Sequence, residues 1–409
     1  MALLRNRDFL LLSAGQGVSR LGDGLYTAAA AWLAWSLTGD STAVALVTVA
    51  AFGPAFLATF VAASYADRCD RRRLMIVTDL LRASVAAGAT VLLALGLLNL
   101  TLLVAGTAAL SLIGAPFGPA RNAMVPQIVR AEDLLQATGL LHVAFRAAFF
   151  VGPLLLAPLL AVSSLTLVLA LDVLTFLVSA ATLAAVRVRR PAGPRHRTGL
   201  GADLAAGLKA LRAEPDVLVV IATFVVALAA TSGFLTVGLA ALVGERFGAQ
   251  GGQYGLLLGI AGVGEVVGAL LLARLPIRRL ALTAVLAWAL LGVFRFPLGL
   301  AQSPAIAATL LAMTGMASAL TDIPLIALVQ QRLPDRHMAK ALGLWEAGTA
   351  GALAVAPLVA STTVEATGIG TAFMLSGAAL VGLSALSAIT VLRFARRRTT
   401  GRLALACTE

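Results

Sequence analysis

The chain has 409 residues, of which 60% are hydrophobic and 12% charged, with a mean hydropathy of +0.95 and a formal net charge of +12. An ordinary soluble domain carries about 25% charged residues, so these figures exclude a soluble globular protein, a disordered chain and a collagen. At about 20 apolar residues per membrane helix, the length accommodates about twelve spans and leaves no room for a large soluble domain.

Apolar segments bounded by charge, glycine or proline predict six spans at 9–37, 42–65, 74–97, 101–125, 134–160 and 164–186. A polar stretch from Arg187 to Pro215 follows, and six more spans are predicted at 217–243, 252–273, 280–300, 304–330, 338–362 and 369–392. The expected fold is an all-α membrane protein of twelve transmembrane helices. Its expected parts are a six-helix half over 1–186, a cytoplasmic linker over 187–215, a second six-helix half over 216–392 and a basic cytoplasmic tail over 393–409. Within the linker, Leu204, Leu208 and Leu211 share one helical face, which fits either a short helix on the inner membrane surface or a solvated loop helix.

In a soluble chain the basic balance would point to nucleic acid; here it reports topology. With the amino terminus inside, 26 of the 31 lysines and arginines fall in cytoplasmic segments and only Arg246 falls in an outer loop. The remaining four, Arg20, Arg82, Arg146 and Arg295, lie inside predicted spans. Both termini and the linker are therefore expected in the cytoplasm, which requires an even number of spans. Cys69 and Cys407 fall on that side, where thiols stay reduced, so no disulfide is expected. The first twelve residues hold too short an apolar run for a signal-peptide core, so the first span is read as retained.

An internal repeat supports the division into halves. At a constant offset of 204, Gly139 matches Gly343, Leu140 matches Leu344 and Pro153 matches Pro357. Parallel six-span repeats are a transporter architecture.

The loop between spans 2 and 3 runs from Ala63 to Arg73 and contains Asp67-Arg68, then Arg71-Arg72, with Ala63 and Asp70 where glycines would complete the pattern. It resembles the signature loop of the major facilitator superfamily. Gly15-Gln16 and Leu21-Gly22-Asp23 in span 1, Asp79 and Arg82 in span 3, and Pro119-Ala120-Arg121 ending span 4 resemble the branch that contains enterobactin and macrolide exporters. Gly152-Pro153 in span 5 is similar to the antiporter signature of exporting members, although Leu156 and Ala157 stand where that signature has glycines. The resemblance implies alternating access around a cavity lined by spans 1, 4, 7 and 10. It also implies an inner-side charge network in which Asp67, Arg68, Arg71 and Arg72 gate the cavity together with Arg121. The alternative for the arginines is enforcement of topology alone.

Six carboxylates lie inside spans: Asp23, Asp79, Asp172, Glu265, Asp322 and Glu346. A charge facing lipid at mid-membrane costs about 3 kcal/mol, so these groups are expected to face the interior, to pair or to snorkel. Asp79, near an inner end, is read as structural. Gln16, Arg20, Asp23 and Thr27 are spaced four, three and four apart and form one polar face over three turns of span 1. Asp23 there either binds a cation or a proton at a cavity wall or forms a packing pair with Arg20. In span 10, Thr314, Ser318 and Asp322 form a second stripe, with Asp322 either lining the same cavity or satisfying amides freed by Pro324. Arg146 shares a face with His142 and is read as pairing with Asp172 or Asp23, or as holding an anionic substrate. Glu265 sits among Gly255, Gly259, Gly264 and Gly268, whose four-residue spacings mark a close helix contact, and is a candidate proton carrier together with Glu346.

No clustered nucleophile and base, metal-ligand spacing or phosphate-cradling loop is visible, and His142, His196 and His337 are scattered. An enzyme, a metal site and a cofactor are not expected, and the energy source is expected to be an ion gradient, with protons first. The expected function is a proton-coupled exporter of amphipathic small molecules such as antibiotics or siderophores. It would act as a monomer in the lipid bilayer of a bacterial inner membrane, with no nucleic-acid partner. An importer or facilitator of a small metabolite is the alternative, and a receptor or scaffold a remoter one. The topology has a direct check: a membrane-impermeant maleimide should leave Cys69 and Cys407 unlabelled in intact cells and label both after permeabilisation.

Overall fold

The computed structural model describes residues 3–66, 70–130, 133–187, 208–209, 211–248 and 251–406. Asp67, Arg68 and both cysteines lie outside the described residues, as do Leu204 and most of the linker. Every regular element among the described residues is helical. In chain order these are α1 (Arg7–Thr38), α2 (Ser41–Ala66), α3 (Arg71–Ala94), α4 (Leu100–Gly114), α5 (Phe117–Ile128), α6 (Leu134–Val162) and α7 (Leu165–Ala185). After the linker come α8 (Pro215–Thr231), α9 (Gly251–Leu272), α10 (Leu280–Arg295), α11 (Pro304–Arg332), α12 (Asp335–Thr367) and α13 (Ile369–Ala406).

Polar residues at the predicted breaks start and stop these helices. Asn6 caps α1 by accepting from the amides of Asp8 and Phe9, Asp70 caps α3 through the amide of Arg73, and Asn99 caps α4 through that of Leu102. Gly39, at φ 66°, ends α1 in the left-handed conformation that favours glycine. Two predicted spans are interrupted. Span 4 divides into α4 and α5 at Pro116, which has no amide hydrogen to continue a ladder. Span 7 continues beyond α8 as two π-helical stretches, Phe234–Gly238 and Leu242–Arg246, separated by a single α turn, Leu239–Ala241.

Among the described residues, ten segments are long and apolar enough to cross a membrane, and Val151–Val162 within α6 is a shorter apolar stretch. The polar face of α1, with Gln16, Arg20 and Asp23, lowers its apolarity below that of its neighbours.

The chain forms two compact units, one of residues 1–196 with 239–259 and one of residues 197–238 with 260–409. In the first, α1 packs on α6 and α7. The seam with α7 is antiparallel: Gly15 lies against Thr182, and Gly22 against Thr175 and Asp172. Both partners recur every seven residues, two helical turns, so small residues face each other in register and the backbones approach closely. On α6, a methyl group at Gly152 would sit 2.5 Å from both the Leu21 carbonyl oxygen and the Leu25 amide nitrogen. The end of the unit where α1 begins is packed by Phe9, Leu12, Met75, Met124 and Leu183, all fully buried.

Two further contacts tie the end of α7 down. The Arg72 guanidinium donates from Nε to the Leu183 carbonyl at 2.8 Å and from Nη2 to that of Ala184, so a cation occupies the negative end of the helix. The Arg187 amide, where the linker begins, donates to the Asp8 carboxylate on α1 at 3.0 Å.

In the second unit the seam between α13 and α10 with its 3-10 continuation Phe296–Leu300 is again antiparallel with a seven-residue repeat, Gly292 against Gly377 and Gly299 against Gly370. Gly233 meets the Ala356 carbonyl beside Pro357 of α12. Pro357 is the repeat partner of Pro153, so each unit makes a close backbone contact at the same proline, with the glycine on the opposite helix. Arg295 is buried and donates from Nη1 to the Thr231 carbonyl at 2.8 Å, where α8 gives way to the π-helical stretch. Arg332 pairs with Asp216 at 3.4 Å. The core is apolar, with Phe224 edge-on to both Trp288 and Trp345.

The four glycines of α9 serve two contacts rather than one. Gly255 and Gly259 lie against Leu156 and Leu154 of α6 in the first unit, and Gly264 and Gly268 against Ala312 and Met316 of α11 in the second. Gly152→Ala should lower the stability of the purified protein by about 1–3 kcal/mol, because fixed backbone blocks its methyl. Gly17→Ala, which meets nothing within 4 Å, should be neutral or stabilising by up to about 1 kcal/mol. Thermal unfolding in detergent reads both.

Candidate functional site

The charges that the sequence places in spans 1, 3 and 6 meet inside the first unit. Arg82 on α3 donates from Nη2 to Asp23 Oδ1 on α1 at 2.5 Å, and both side chains are 15% exposed. Arg20 approaches Asp23 Oδ2 at 3.5 Å from the edge of the site, where its own side chain is 40% exposed. The Arg82 guanidinium lies over the Phe176 ring of α7 at 4.1 Å, so the cation has an aromatic face on one side and a carboxylate on the other.

Two more carboxylates complete the cluster. Asp79, one turn before Arg82 on α3, is fully buried and accepts at Oδ2 from the Ser179 hydroxyl at 2.6 Å. Ser179 in turn accepts from the Gln16 amide of α1 at 2.9 Å. Asp172 on α7 is 1% exposed and packs against Gly22 of α1. The Thr175 hydroxyl lies 3.4 Å from its Oδ1 and donates to its backbone carbonyl at 2.8 Å. Asp79 Oδ1, Asp172 Oδ2 and Arg82 Nε are buried without a hydrogen-bond partner. Beside the cluster, the Tyr26 and Thr107 hydroxyls are 2.9 Å apart.

Helical spacing explains why these side chains converge. Asp79 and Arg82 are one turn apart on α3; Asp172, Thr175, Phe176 and Ser179 share one face of α7; Gln16 and Asp23 are two turns apart on α1. The site gathers three carboxylates around one buried guanidinium, in surroundings where an uncompensated charge is strongly unfavourable.

Of the residues singled out from sequence, Gln16, Arg20 and Asp23 are brought together here. The Arg146 side chain lies outside the described residues, and the partner seen on Asp23 is Arg82, with Arg20 at the edge. In the second unit Asp322 is buried on α11 along with Thr314, Glu265 is half-buried on α9, and Glu346 is exposed on α12. Among the inner-loop residues, Arg72 engages the end of α7 as described above, and Arg71 Nε is buried without a hydrogen-bond partner. Arg121 is buried over the Phe145 ring at 4.6 Å, donating to Asn122 Oδ1 at 3.1 and 3.2 Å. With Val125, Thr138 and Leu141 these residues line a cavity of about 170 Å³ between α5 and α6. Sequence reasoning had given Arg82, Asp79 and Ser179 no place in the site. The available signal was the one-turn pairing of an acid and an arginine inside span 3.

The family described as "Transmembrane secretion effector" matches residues 1–402. The chain belongs to the major facilitator superfamily. It is similar to "Multidrug efflux pump Tap" of Mycobacterium tuberculosis, 28% identical over 214 residues, 50% of this chain and 51% of that one. It is also similar to "Macrolide efflux protein A" of Streptococcus pyogenes, 29% identical over 188 residues, 44% of each. The match thus spans about half the length, or less, of these curated relatives. Among solved structures, a bacterial homologue of the iron transporter ferroportin aligns with a TM-score of 0.72 at 16% identity, covering 95% of this chain and 100% of that one. The nucleoside transporter NupG aligns with a TM-score of 0.71 at 14% identity, covering 94% and 99%. At such identity these two report the fold, the all-helical fold of major facilitator proteins. This member is a multi-pass membrane protein.

The energetics of the central pair are open to a double-mutant cycle. Asp23→Ala and Arg82→Ala should each lower thermal stability by about 3–5 kcal/mol, because each leaves a buried charge behind. The double variant should lose less than the sum by about 0.5–3 kcal/mol. Unfolding of the three variants in detergent measures this.

Proposed function

We propose that this major facilitator protein is a secondary active transporter that exports amphipathic small molecules, such as antibiotics or siderophores, in exchange for protons. The observation that carries the proposal is the Asp23–Arg82 pair with Asp79 and Asp172 around it. Buried ionisable groups inside a membrane-spanning bundle are unfavourable for stability, and they typically mark substrate or proton pathways. The named activities of the relatives, multidrug and macrolide efflux, agree with export. The composition agrees with a greasy substrate: four Trp, three Tyr and few amides offer little for sugar recognition.

In this reading two six-helix halves rock about a midplane site and expose it alternately to each side. Asp23, the acid of the cluster that reaches solvent, binds a cationic group of the substrate or a proton but not both. An acid of the second half, Asp322, Glu265 or Glu346, supplies the matching step. Asp67, Arg68, Arg71, Arg72 and Arg121 form the inner gate, and Gly152-Pro153 holds α6 against α1. The protein works as a monomer in a bacterial inner membrane with both termini cytoplasmic, and it uses no cofactor, metal or catalytic centre.

Expression in efflux-deficient bacteria tests this reading. Wild type should lower the accumulation of lipophilic cationic dyes and macrolides, and both Asp23→Asn and a protonophore should abolish the effect. Unchanged accumulation across such a panel, with the protein present in the membrane, would replace broad export by a narrow substrate or by import.

A further inference from the structure

The three carboxylates around Arg82 are not equivalent. Asp23 accepts from Arg82 at 2.5 Å and is ion-paired with Arg20 at 3.5 Å. Asp79 receives a hydroxyl donor at the end of an oriented chain, in which the Gln16 amide donates to Ser179 and the Ser179 hydroxyl donates to Asp79 Oδ2. That chain presents a hydrogen to the Asp79 carboxylate and fixes its orientation. Asp172 has a weaker one: the Thr175 hydroxyl donates to the Asp172 backbone carbonyl at 2.8 Å and reaches its Oδ1 only at 3.4 Å, and Oδ2 is buried without a partner. It is 1% exposed and one residue's packing away from Asp23, because it sits on Gly22.

Among the described residues, the charged and titratable groups facing Asp172 are Asp23 and the Tyr26 hydroxyl from α1 and Arg82 from α3. Arg82 is the only buried cation among these described groups, and it is engaged by Asp23. It also lies within electrostatic reach of Asp172 and Asp79. A group held by one acid and in reach of two others is positioned to change partners.

We propose that Asp172 holds the exchanged proton and that Arg82 couples it to Asp23, a reading that rests on proton-driven export and adds to it the site of the proton. With Asp23 free of substrate, Arg82 is paired to it and the Asp172 carboxyl keeps its proton. When a cationic substrate occupies Asp23, Arg82 is released towards Asp172. The O–H bond of Asp172 then breaks, the proton leaves to water at the solvent-reaching Asp23 end, and the carboxylate left behind pairs with Arg82. Reprotonation of Asp172 returns Arg82 to Asp23 and expels the substrate cation. The charge inside the cluster is the same before and after, since one cation enters as one proton leaves. Asp79, fixed by Ser179 and Gln16, does not take part in the exchange and acts as a positioning residue for Arg82.

Two measurements on the full-length protein test this. Infrared difference spectra between acid and alkaline pH should show the carbonyl stretch of a protonated carboxyl group in wild type. The band should survive in Asp79→Asn, titrate away at lower pH in Asp23→Asn, which frees Arg82 to pair with Asp172, disappear in Asp172→Asn and return, shifted, in Asp172→Glu. Survival of the band in a folded Asp172→Asn variant overturns the proposal, as does its absence from wild type. If Asp172→Asn does not fold, loss of the band in Asp79→Asn overturns it equally. In proteoliposomes, tetraphenylphosphonium is the transport probe. Asp172→Asn should keep equilibrium exchange of the probe and lose accumulation driven by a pH gradient; full retention of that accumulation rules Asp172 out while leaving proton-driven export intact. Wild type that ignores the pH gradient while exchanging the probe overturns proton-driven export itself, which the infrared arm does not depend on.

Discussion

The close approach of α1 to α7 is the constraint on which the first half of the molecule depends. Gly15 and Gly22 remove side chains from one face of α1, and Thr182 and Thr175 fill the resulting grooves. Without that proximity Gln16 would not reach Ser179, and Asp172 would not lie beside Asp23. A hydrocarbon solvent supplies no hydrogen bonds, so an acid buried there must be surrounded by protein on every side. The glycines make that enclosure possible by letting backbone, rather than apolar side chains, form the wall.

The cluster and its enclosure are arranged differently in the two units. The first unit concentrates acids around one arginine. The second buries Arg295 against a backbone carbonyl at a change of helix type, and holds Asp216 against Arg332 at the start of α8 and the end of α11. The shared parts are those that set helix separation: seven-residue glycine seams, and a glycine contact beside Pro153 in one unit and Pro357 in the other. The two units share packing and differ in chemistry, as expected when separation is dictated by backbone geometry and charge placement by individual side chains.

Hydropathy and charge made the helices legible, because apolar length and arginine position are written locally in the chain. The interruptions were less so. Pro116 marks the division of span 4, but nothing in the composition around Phe234 announces a π-helical stretch, since the change depends on what α12 and α13 place beside it. The site was legible in part. The spacing of Gln16, Arg20 and Asp23 announced a polar face on one helix, whereas the partner of Asp23 was a question of which of four intramembrane arginines comes near, and helical periodicity carries no information between helices. Asp79 looked structural because of its position near a span end; its burial and its link to Ser179 arise from α7, a hundred residues away. The four glycines of α9 read as one contact because both pairs have the same four-residue spacing, yet α6 and α11 share them.

The end of α7 has a mechanical consequence. Its last carbonyls are held by Arg72 of α3, and the next amide in the chain, that of Arg187, is held by Asp8 of α1. Tension applied along the linker is therefore delivered to three helices at once and does not peel the final turn of α7. The helices up to Arg187 carry load as a single strut.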